Sequence, residues 1–209
     1  MILHDFERAP NPRRVRIFIA EKNIDIEIKK IDLMKRENIQ TDYLKINPSG
    51  ALPFLQLDDK NGISESIAIC RYLEEKYPDP RLMGNNPLEK AQIEMWQRII
   101  EFHGISAAGE AFRNKVEGFK DRAIAGPNPI KQIPDLIERS KVLLDHFFNR
   151  IDGQLSQNDY IAGGEFSIAD ISAYIAIDFA GWSKIVPEAK FKSLNKWFEK
   201  IKLRDSIKA

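Results

Sequence analysis

The feature that most constrains the fold is a change of hydrophobic pattern about eighty residues into the chain. Short apolar runs separated by turn residues dominate residues 1–78 and predict strands mixed with helices. Beyond a proline-rich stretch at 77–87, apolar residues recur at the three-to-four-residue spacing of amphipathic helices. Such a change favours two domains. We therefore predict an α/β domain at 1–78, a linker at 79–87 and an all-helical domain at 88–209.

Within each predicted domain, turn and cap residues mark where the elements begin and end. The first domain should have the order βαβαββα, and the second should contain helices joined by loops. The predicted strands lie at 2–6, 26–28, 53–57 and 63, and the predicted helices at 12–22, 35–43, 65–77, 88–116, from 134 onward, 167–179 and 193–202; a loop at 118–133 contains Gly126-Pro127-Asn128-Pro129.

The charge and hydrophobicity of the chain exclude several classes of partner. Its 209 residues carry 32 Lys and Arg against 31 Asp and Glu, a net charge of +1, so a nucleic-acid partner is not predicted. Because no apolar run reaches the roughly 18 residues that a membrane helix needs, no membrane segment is predicted. The first residues also lack the layout of a signal peptide, and we expect a cytoplasmic location.

A single cysteine limits the possible metal and redox chemistry. With Cys70 alone, the chain cannot form an internal disulfide, a Cys-x-x-Cys pair or a thiolate zinc site by itself, and no metal is predicted. Cys70 shares a helical stripe with Ile67 and Leu73, which favours a buried small hydrophobe. A reactive thiol is the alternative.

The stretch SGALPFL (49–55) places a proline inside an apolar run. A cis bond between Leu52 and Pro53 would turn the chain and leave the Leu52 N–H and C=O available to an extended peptide, which would pair like an added strand. An ordinary trans proline opening an edge strand fits the same residues. Both conformations remain open at this point.

The pair Glu65-Ser66 stands where the next helix should begin. Helix N-terminal amides and the Ser66 hydroxyl attract a carboxylate, while Glu65 can accept from an ammonium group. The alternative is that both residues simply cap and charge the first turn. Together with Leu52, the functional interpretation describes a site for a peptide-like ligand with an ammonium and a carboxylate at one end.

Three motifs in the same order make the chain resemble the cytosolic glutathione S-transferases over nearly its whole length: NPSGALPFL, SESIAICRYLEEKYP and FSIADI. The resemblance implies a thioredoxin-like N-terminal domain, an all-helical C-terminal domain and a homodimer. It also implies that Pro53 is cis, that Leu52 pairs with the cysteinyl part of glutathione, and that Glu65 and Ser66 hold its γ-glutamyl end. Asn38 would be a candidate for the glycyl carboxylate.

The chain departs from this family at the position that usually activates the thiol. Ala9 stands where many classes have Ser or Cys, and the first strand offers no tyrosine. The Pro10-Asn11 segment is similar to the nu class, in which a Thr-Pro-Asn segment faces the sulfur. Asn11 is therefore the predicted thiolate stabiliser, because an amide near a helix N-terminus can donate to the sulfur. An N-cap or Asx-turn before Pro12 is the alternative role.

The family implies glutathione as a substrate and conjugation to small hydrophobic electrophiles. We expect the second substrate between the domains, against the long helix from 88, with His103 as a contact. Two other functions stay open: glutathione-dependent reduction of a disulfide substrate, and a non-enzymatic binding or scaffold protein that kept the fold.

In FSIAD, Ser167 and Asp170 have the spacing of a capping box, a structural role.

Overall fold

The computed structural model describes residues 1–124 and 128–209, so part of the predicted Gly126-Pro127-Asn128-Pro129 loop lies outside the described residues. Most of the chain divides into two compact units. The N-terminal unit is built on Met1–Pro80, and the helical unit on Arg81–Ile124 and Pro129–Ile207. In the described ranges, no helix is long and apolar enough to cross a membrane.

The N-terminal unit contains a four-stranded mixed sheet with the strand order β2-β1-β3-β4. β1 and β2 are parallel, whereas β1–β3 and β3–β4 are antiparallel. The predicted order βαβαββα and the thioredoxin-like fold class are confirmed. The elements are β1 (Ile2–Asp5), α1 (Pro10–Glu21), β2 (Glu27–Lys30), α2 (Thr41–Ile46), β3 (Phe54–Gln56), β4 (Gly62–Ser64) and α3 (Ser66–Lys76).

The core of this unit lies between the sheet and the pair α1 and α3, which pack against each other. Leu3 and Leu55 of the central strands are completely buried, as are Phe18 of α1 and Leu73 of α3. Cys70 is also completely buried, and burial raises the pKa of its thiol to about 12. The prediction that Cys70 is a buried small hydrophobe is therefore confirmed.

A buried lysine joins the C-terminal ends of α1 and α3. The ammonium of Lys22 donates to the carbonyl oxygens of Tyr77 and Pro80 at 2.7 Å each, and it forms an ion pair with Glu74 Oε2, also at 2.7 Å. The side chains of Lys22 and Glu74 are 0% and 5% exposed. The buried ammonium is therefore held by two hydrogen bonds and by one oppositely charged carboxylate.

The helical unit is organised around one long helix and the buried helix α7. α4 and α5 run into each other through a π-helical segment at Ile100–Ile105, so the helix predicted at 88–116 is continuous but changes its winding. Gly104 lies in this segment, and a Cβ there would come within 2.8 Å of the Phe147 ring. The helices are α4 (Pro87–Ile99), α5 (Ser106–Lys115), α6 (Asp135–Leu155), α7 (Ile168–Trp182) and α8 (Lys192–Lys202).

A capping box begins α7, as predicted. Ser167 Oγ accepts from the Ala169 amide at 3.3 Å. Asp170 Oδ2 accepts from the amide and hydroxyl of Ser167 at 3.0 and 3.1 Å. Asp170 Oδ1 accepts from Ile161 N at 3.0 Å and from Trp197 Nε1 at 3.1 Å. Burial raises the pKa of this carboxyl to about 6, although the four hydrogen bonds act in the opposite direction.

Candidate functional site

The predicted site residues of the N-terminal unit meet at one edge of its sheet. Phe54 pairs with His4 and with Ser64, so the start of β3 lies beside the ends of β1 and β4. Leu52-Pro53 therefore lies across from Glu65, and the loop from β1 to α1 leaves from the same edge. The register thus brings together segments that are far apart in the sequence.

The peptide bond between Leu52 and Pro53 is cis, as the family resemblance implied. Pro53 is buried and Leu52 is half-buried. Among the hydrogen bonds of the described residues, none uses the N–H or the C=O of Leu52. One main-chain donor and one acceptor are therefore available beside the edge of the sheet, the pattern that an added strand requires.

The turn before Leu52 is fixed by two asparagine side chains. Asn38 Nδ2 donates to the Gly50 carbonyl at 2.8 Å, and Asn47 Nδ2 donates to the Ala51 carbonyl at 2.7 Å. Gly50 has a φ of +60°, and a Cβ there would lie 2.8 Å from the Asn38 carbonyl oxygen, so only glycine fits. The structure thus gives Asn38 a contact within the chain, and no hydrogen bond of the described residues uses its Oδ1.

The start of α3 has two polar side chains that do not cap the helix. Glu65 occupies the N-cap position at φ 70° and ψ 119° without a side-chain cap bond, and its side chain is exposed. A non-glycine residue at such angles costs about 1–3 kcal/mol, a strain typical of binding sites. Ser66 is 4% exposed, and no hydrogen bond within the described residues uses its hydroxyl. The simple capping role considered for this pair is therefore not what the side chains perform.

The first turn of α1 offers very few hydrogen-bond donors. Ala9 is the N-cap, and its amide already donates to Phe6 O at 2.9 Å. Pro10 and Pro12, the first and third residues of the helix, have no N–H. Asn11, between them, therefore supplies both the open main-chain N–H of this turn and a side-chain amide.

The Asn11 amide is oriented by a buried arginine. Arg14 Nη2 donates to Asn11 Oδ1 at 2.7 Å, and Arg14 is only 2% exposed. With Oδ1 engaged by a cation, the Nδ2 group is left as the donor, and the charge polarises the amide so that it donates more strongly. Asn11 is not the N-cap, and sequence reasoning missed this contact, whose only signal was the i, i+3 spacing.

A second arginine holds the loop between β1 and α1. Arg16 Nη1 lies 2.5 Å from Asp5 Oδ1, and Arg16 Nη2 donates to the Glu7 carbonyl at 2.8 Å. Burial raises the pKa of the Asp5 carboxyl, while the charge and hydrogen bond of Arg16 partly offset the effect. The loop that carries Ala9 is therefore tied to the end of β1.

His103, the predicted contact for the second substrate, belongs to the helical unit. It is exposed and lies in the π-helical segment, a kind of helix distortion that occurs frequently at functional sites. Within the part of the chain that the structure describes, its ring makes no hydrogen bond. In the same ranges, no group of three or more His, Cys, Asp and Glu side chains has the arrangement of a metal site.

Comparison with known families accounts for both units. Residues 3–81 match the N-terminal domain of glutathione S-transferases, and residues 130–205 match the C-terminal domain. The chain belongs to the glutathione S-transferase family. This confirms two predictions: that the chain is a member of this family and that it is a transferase.

Individual family members are similar over nearly the whole chain. Glutathione S-transferase 2 of Saccharomyces cerevisiae is 32% identical over 210 residues, which cover 100% of this chain and 88% of the yeast protein. Glutathione S-transferase F10 of Arabidopsis thaliana is 30% identical, covering 94% of this chain and 89% of the plant protein. A glutathione S-transferase domain-containing protein from Marinobacter aquaeolei superposes with a TM-score of 0.90 at 31% identity, covering 99% of this chain and 100% of that one.

Proposed function

We propose that this family member binds glutathione along the sheet edge and stabilises the glutathione thiolate with Asn11. The bound glutathione is then transferred to small hydrophobic electrophiles. The observation that carries the proposal is the convergence of unpartnered polar groups from three separate segments on one edge. Buried or half-buried polar groups normally find partners inside the protein, so several without one indicate a place for a polar ligand.

The proposed binding mode follows the chemistry of a γ-glutamyl tripeptide. The N–H and C=O of Leu52 pair with the main chain of its cysteinyl residue, as in an added strand. The open amides at the start of α3 and the Ser66 hydroxyl bind the γ-glutamyl carboxylate, which the helix dipole also favours. The Glu65 carboxylate accepts from the adjacent ammonium group. Asn38, next to the Gly50 turn, is proposed for the glycyl carboxylate.

Thiolate stabilisation by Asn11 is energetically sufficient. Lowering a thiol pKa from about 8.5 by two units requires about 2.7 kcal/mol of preference for the thiolate. A hydrogen bond to a charged group contributes about 1.5–3 kcal/mol, and a helix N-terminus adds about 0.3–1 kcal/mol. The Nδ2 group polarised by Arg14, the Asn11 N–H and the dipole of α1 can therefore supply the effect without a hydroxyl at position 9.

The decisive experiment titrates the thiol of bound glutathione by its thiolate absorbance in the wild type, Asn11→Ala and Asn11→Asp. The aspartate keeps an acceptor for Arg14 but has no side-chain N–H to donate, so it separates the donor role from support of the fold. We expect the thiol pKa to rise by about one to two units in Asn11→Ala, and at least as much in Asn11→Asp, with a matching loss of turnover near neutral pH. An unchanged pKa and unchanged turnover in both variants would reject the role of Asn11.

A panel of second substrates distinguishes conjugation from the other two functions. Cys70 is buried with a pKa of about 12, so reduction of a disulfide substrate would need a second glutathione to resolve the mixed disulfide. Turnover of small disulfides that survives Cys70→Ser, without conjugation, would select the reductase. Glutathione binding without any turnover would select a scaffold protein.

For conjugation, His103→Ala should raise KM for the electrophile while leaving the affinity for glutathione unchanged.

We also propose that the protein is a homodimer. Leu88, Met95 and Phe102 follow one another at seven-residue spacing along the long helix and are 67%, 49% and 65% exposed in the single chain. Exposed apolar side chains in such a row are typical of a surface that another chain covers. Sedimentation should show a dimer that Met95→Glu weakens, and a wild-type monomer would contradict the proposal. The cytoplasmic location remains a prediction from the sequence.

A further inference from the structure

The imidazole of His4 is enclosed between two aromatic rings in the N-terminal unit. It is completely buried on β1, on the opposite face of the sheet from the neighbouring Leu3. The His4 ring centroid is 5.5 Å from that of Tyr43 in α2 and 5.6 Å from that of Phe54 in β3, and both of these side chains are buried. Because histidine can become charged near neutral pH, its protonation state decides whether it fits this enclosure.

The hydrogen bonds of the ring identify the form that fits. His4 Nε2 lies 3.0 Å from Gln56 Oε1, and Gln56 Nε2 donates to the Asp58 carbonyl oxygen. Since the Gln56 oxygen faces the imidazole, Nε2 is the donor and Nδ1 carries no proton in the neutral ring. Among the described residues, no hydrogen bond uses Nδ1. Protonation would therefore place a buried N–H at Nδ1 without an acceptor.

The charged groups of the sheet do not reverse the effect of burial on His4. Burial lowers the pKa of the imidazole below its ordinary value of 6.5, and the hydrogen bond with Gln56 acts in the opposite direction. On β2, the charge of Lys29 lowers the pKa further, whereas that of Glu27 raises it. On β1 itself, Asp5 is the next residue, so it points to the other face, where its carboxylate has an ion pair of its own.

The other two elements around the ring, α2 and β3, add no charge at His4. In α2, burial raises the pKa of the Tyr43 hydroxyl, which therefore stays neutral. The two charged side chains of α2 are exposed and pair with each other, Lys45 with Asp42 at 2.7 Å. β3 has no charged side chain. Near neutral pH, the neutral imidazole is accordingly the form that this packing holds.

The two rings that His4 contacts stand at the two ends of the stretch that carries Leu52. At the first end, the Tyr43 carbonyl accepts from the Asn47 amide at 2.9 Å, and the Asn47 side chain fixes the turn before Leu52. At the other end, Phe54 directly follows the cis proline. His4 therefore joins α2 to the start of β3, on either side of the main chain proposed to pair with glutathione.

We propose that neutral His4 is a positioning residue for glutathione binding, because its ring holds α2 and β3 together and so keeps the Leu52 main chain in place. This inference rests on the glutathione site proposed above and adds a residue that touches no ligand. A charged imidazole would leave the enclosure, since a buried cation needs water or an acceptor. The packed form, which binds glutathione, has the lower histidine pKa, so acid favours the released form and weakens binding below about pH 6.5.

The test measures the affinity for S-methylglutathione by calorimetry near pH 5.5 and near pH 7.5, on either side of the ordinary histidine pKa. This probe has a thioether in place of the thiol, so ionisation of the sulfur cannot cause any pH dependence. The variant is His4→Phe, which keeps a ring between Tyr43 and Phe54 but cannot become charged. The control is His146→Gln, which removes an exposed imidazole of α6 in the helical unit.

We expect the wild type to bind the probe about threefold or more weakly near pH 5.5 than near pH 7.5. His4→Phe should lose this pH dependence, and it should therefore bind more tightly than the wild type near pH 5.5. His146→Gln should keep the wild-type profile. The same profile in His4→Phe and the wild type would overturn the proposal and leave the glutathione site standing. A wild type that binds the probe at neither pH would overturn the site and this inference with it.

Proton NMR of the wild type covers the case in which His4→Phe fails to fold. The chain has three histidines, so each ring can be titrated separately, with His103→Gln and His146→Gln used to assign the signals. By linkage, bound S-methylglutathione should lower the His4 pKa by the same factor by which protonation of His4 weakens binding. The His146 pKa should not change. A His4 pKa that is equal in the free and the bound protein would reject the positioning role.

Discussion

Replacing Asp170 by asparagine tests a buried carboxylate of the helical unit that accepts several hydrogen bonds. The carboxylate accepts four hydrogen bonds: from the amide and hydroxyl of Ser167, from Ile161 N and from Trp197 Nε1. Asparagine has the same shape, but its NH₂ group replaces one of the two oxygens. That NH₂ group must face either the two donors of Ser167 or the donors of Ile161 and Trp197. The hydroxyl can rotate to accept, so the best arrangement turns the NH₂ group toward Ser167 and leaves the Ser167 amide without an acceptor.

The expected loss of stability follows from the one amide that is left without an acceptor. A buried amide without a partner costs about 1–3 kcal/mol, and the remaining bonds lose the extra strength of a charged acceptor. We expect Asp170→Asn to lower the free energy of unfolding by about 2–4 kcal/mol near neutral pH. For a chain of this size, that corresponds to a fall in Tm of roughly 5–12 °C.

The pH dependence of this loss has a definite sign. Burial raises the pKa of Asp170 to about 6 in the folded protein, above its usual value in an unfolded chain. Between those two values the folded state binds more protons than the unfolded state, so wild-type stability falls as pH rises through this window. Asparagine does not titrate. The stability gap between wild type and variant should therefore be larger near pH 4.5 than near pH 7.5, by about 1–2 kcal/mol.

Urea unfolding at the two pH values measures both quantities. Asp159→Asn is the matched control, because the same chemical change on an exposed side chain should alter stability by less than about 0.5 kcal/mol. A loss at Asp170 no larger than in the control would refute the role of the four hydrogen bonds. A gap that widens with rising pH would show that the carboxyl pKa is lowered rather than raised.

Three further changes test other features of the structure. Ser167→Ala should lower stability by about 1 kcal/mol in urea unfolding, and an unchanged midpoint would mean that the cap contributes nothing. Lys22→Met should cost about 3–5 kcal/mol because it leaves Glu74 buried without its cation, and adding Glu74→Leu should restore part of the loss; a double variant no more stable than the single one would contradict this. Gly50→Ala should weaken glutathione binding measured by calorimetry, since its Cβ meets the Asn38 carbonyl; wild-type affinity would separate the turn from the site.

Features set by local sequence could be predicted from it. The order βαβαββα follows from hydrophobic periodicity and turn residues, and the capping box from the spacing of Ser167 and Asp170. The start of α3 at Glu65-Ser66 was also predicted, but the positive φ of Glu65 was not, because that conformation depends on the surrounding fold.

Features set by contacts between distant elements could not be predicted. The π-helical segment brings Gly104 against Phe147, which belongs to a different helix far along the chain, so no local pattern indicates it. The bond from Arg14 to Asn11 joins two residues of one helix, but it was missed because arginine on a helix usually forms a surface ion pair, whereas Arg14 is buried by the surrounding fold. The geometry of the site therefore depends mainly on tertiary contacts and burial, which local sequence patterns do not indicate.

The burial of Cys70 has a consequence for how this protein tolerates oxidative stress. An enzyme that handles a thiol substrate meets oxidised glutathione and peroxides, which attack accessible thiolates. Here the sole sulfhydryl is enclosed in the core and stays protonated at any physiological pH, so it is not available for glutathionylation or sulfenic acid formation. The protein should accordingly stay unmodified at cysteine when its surroundings become oxidising.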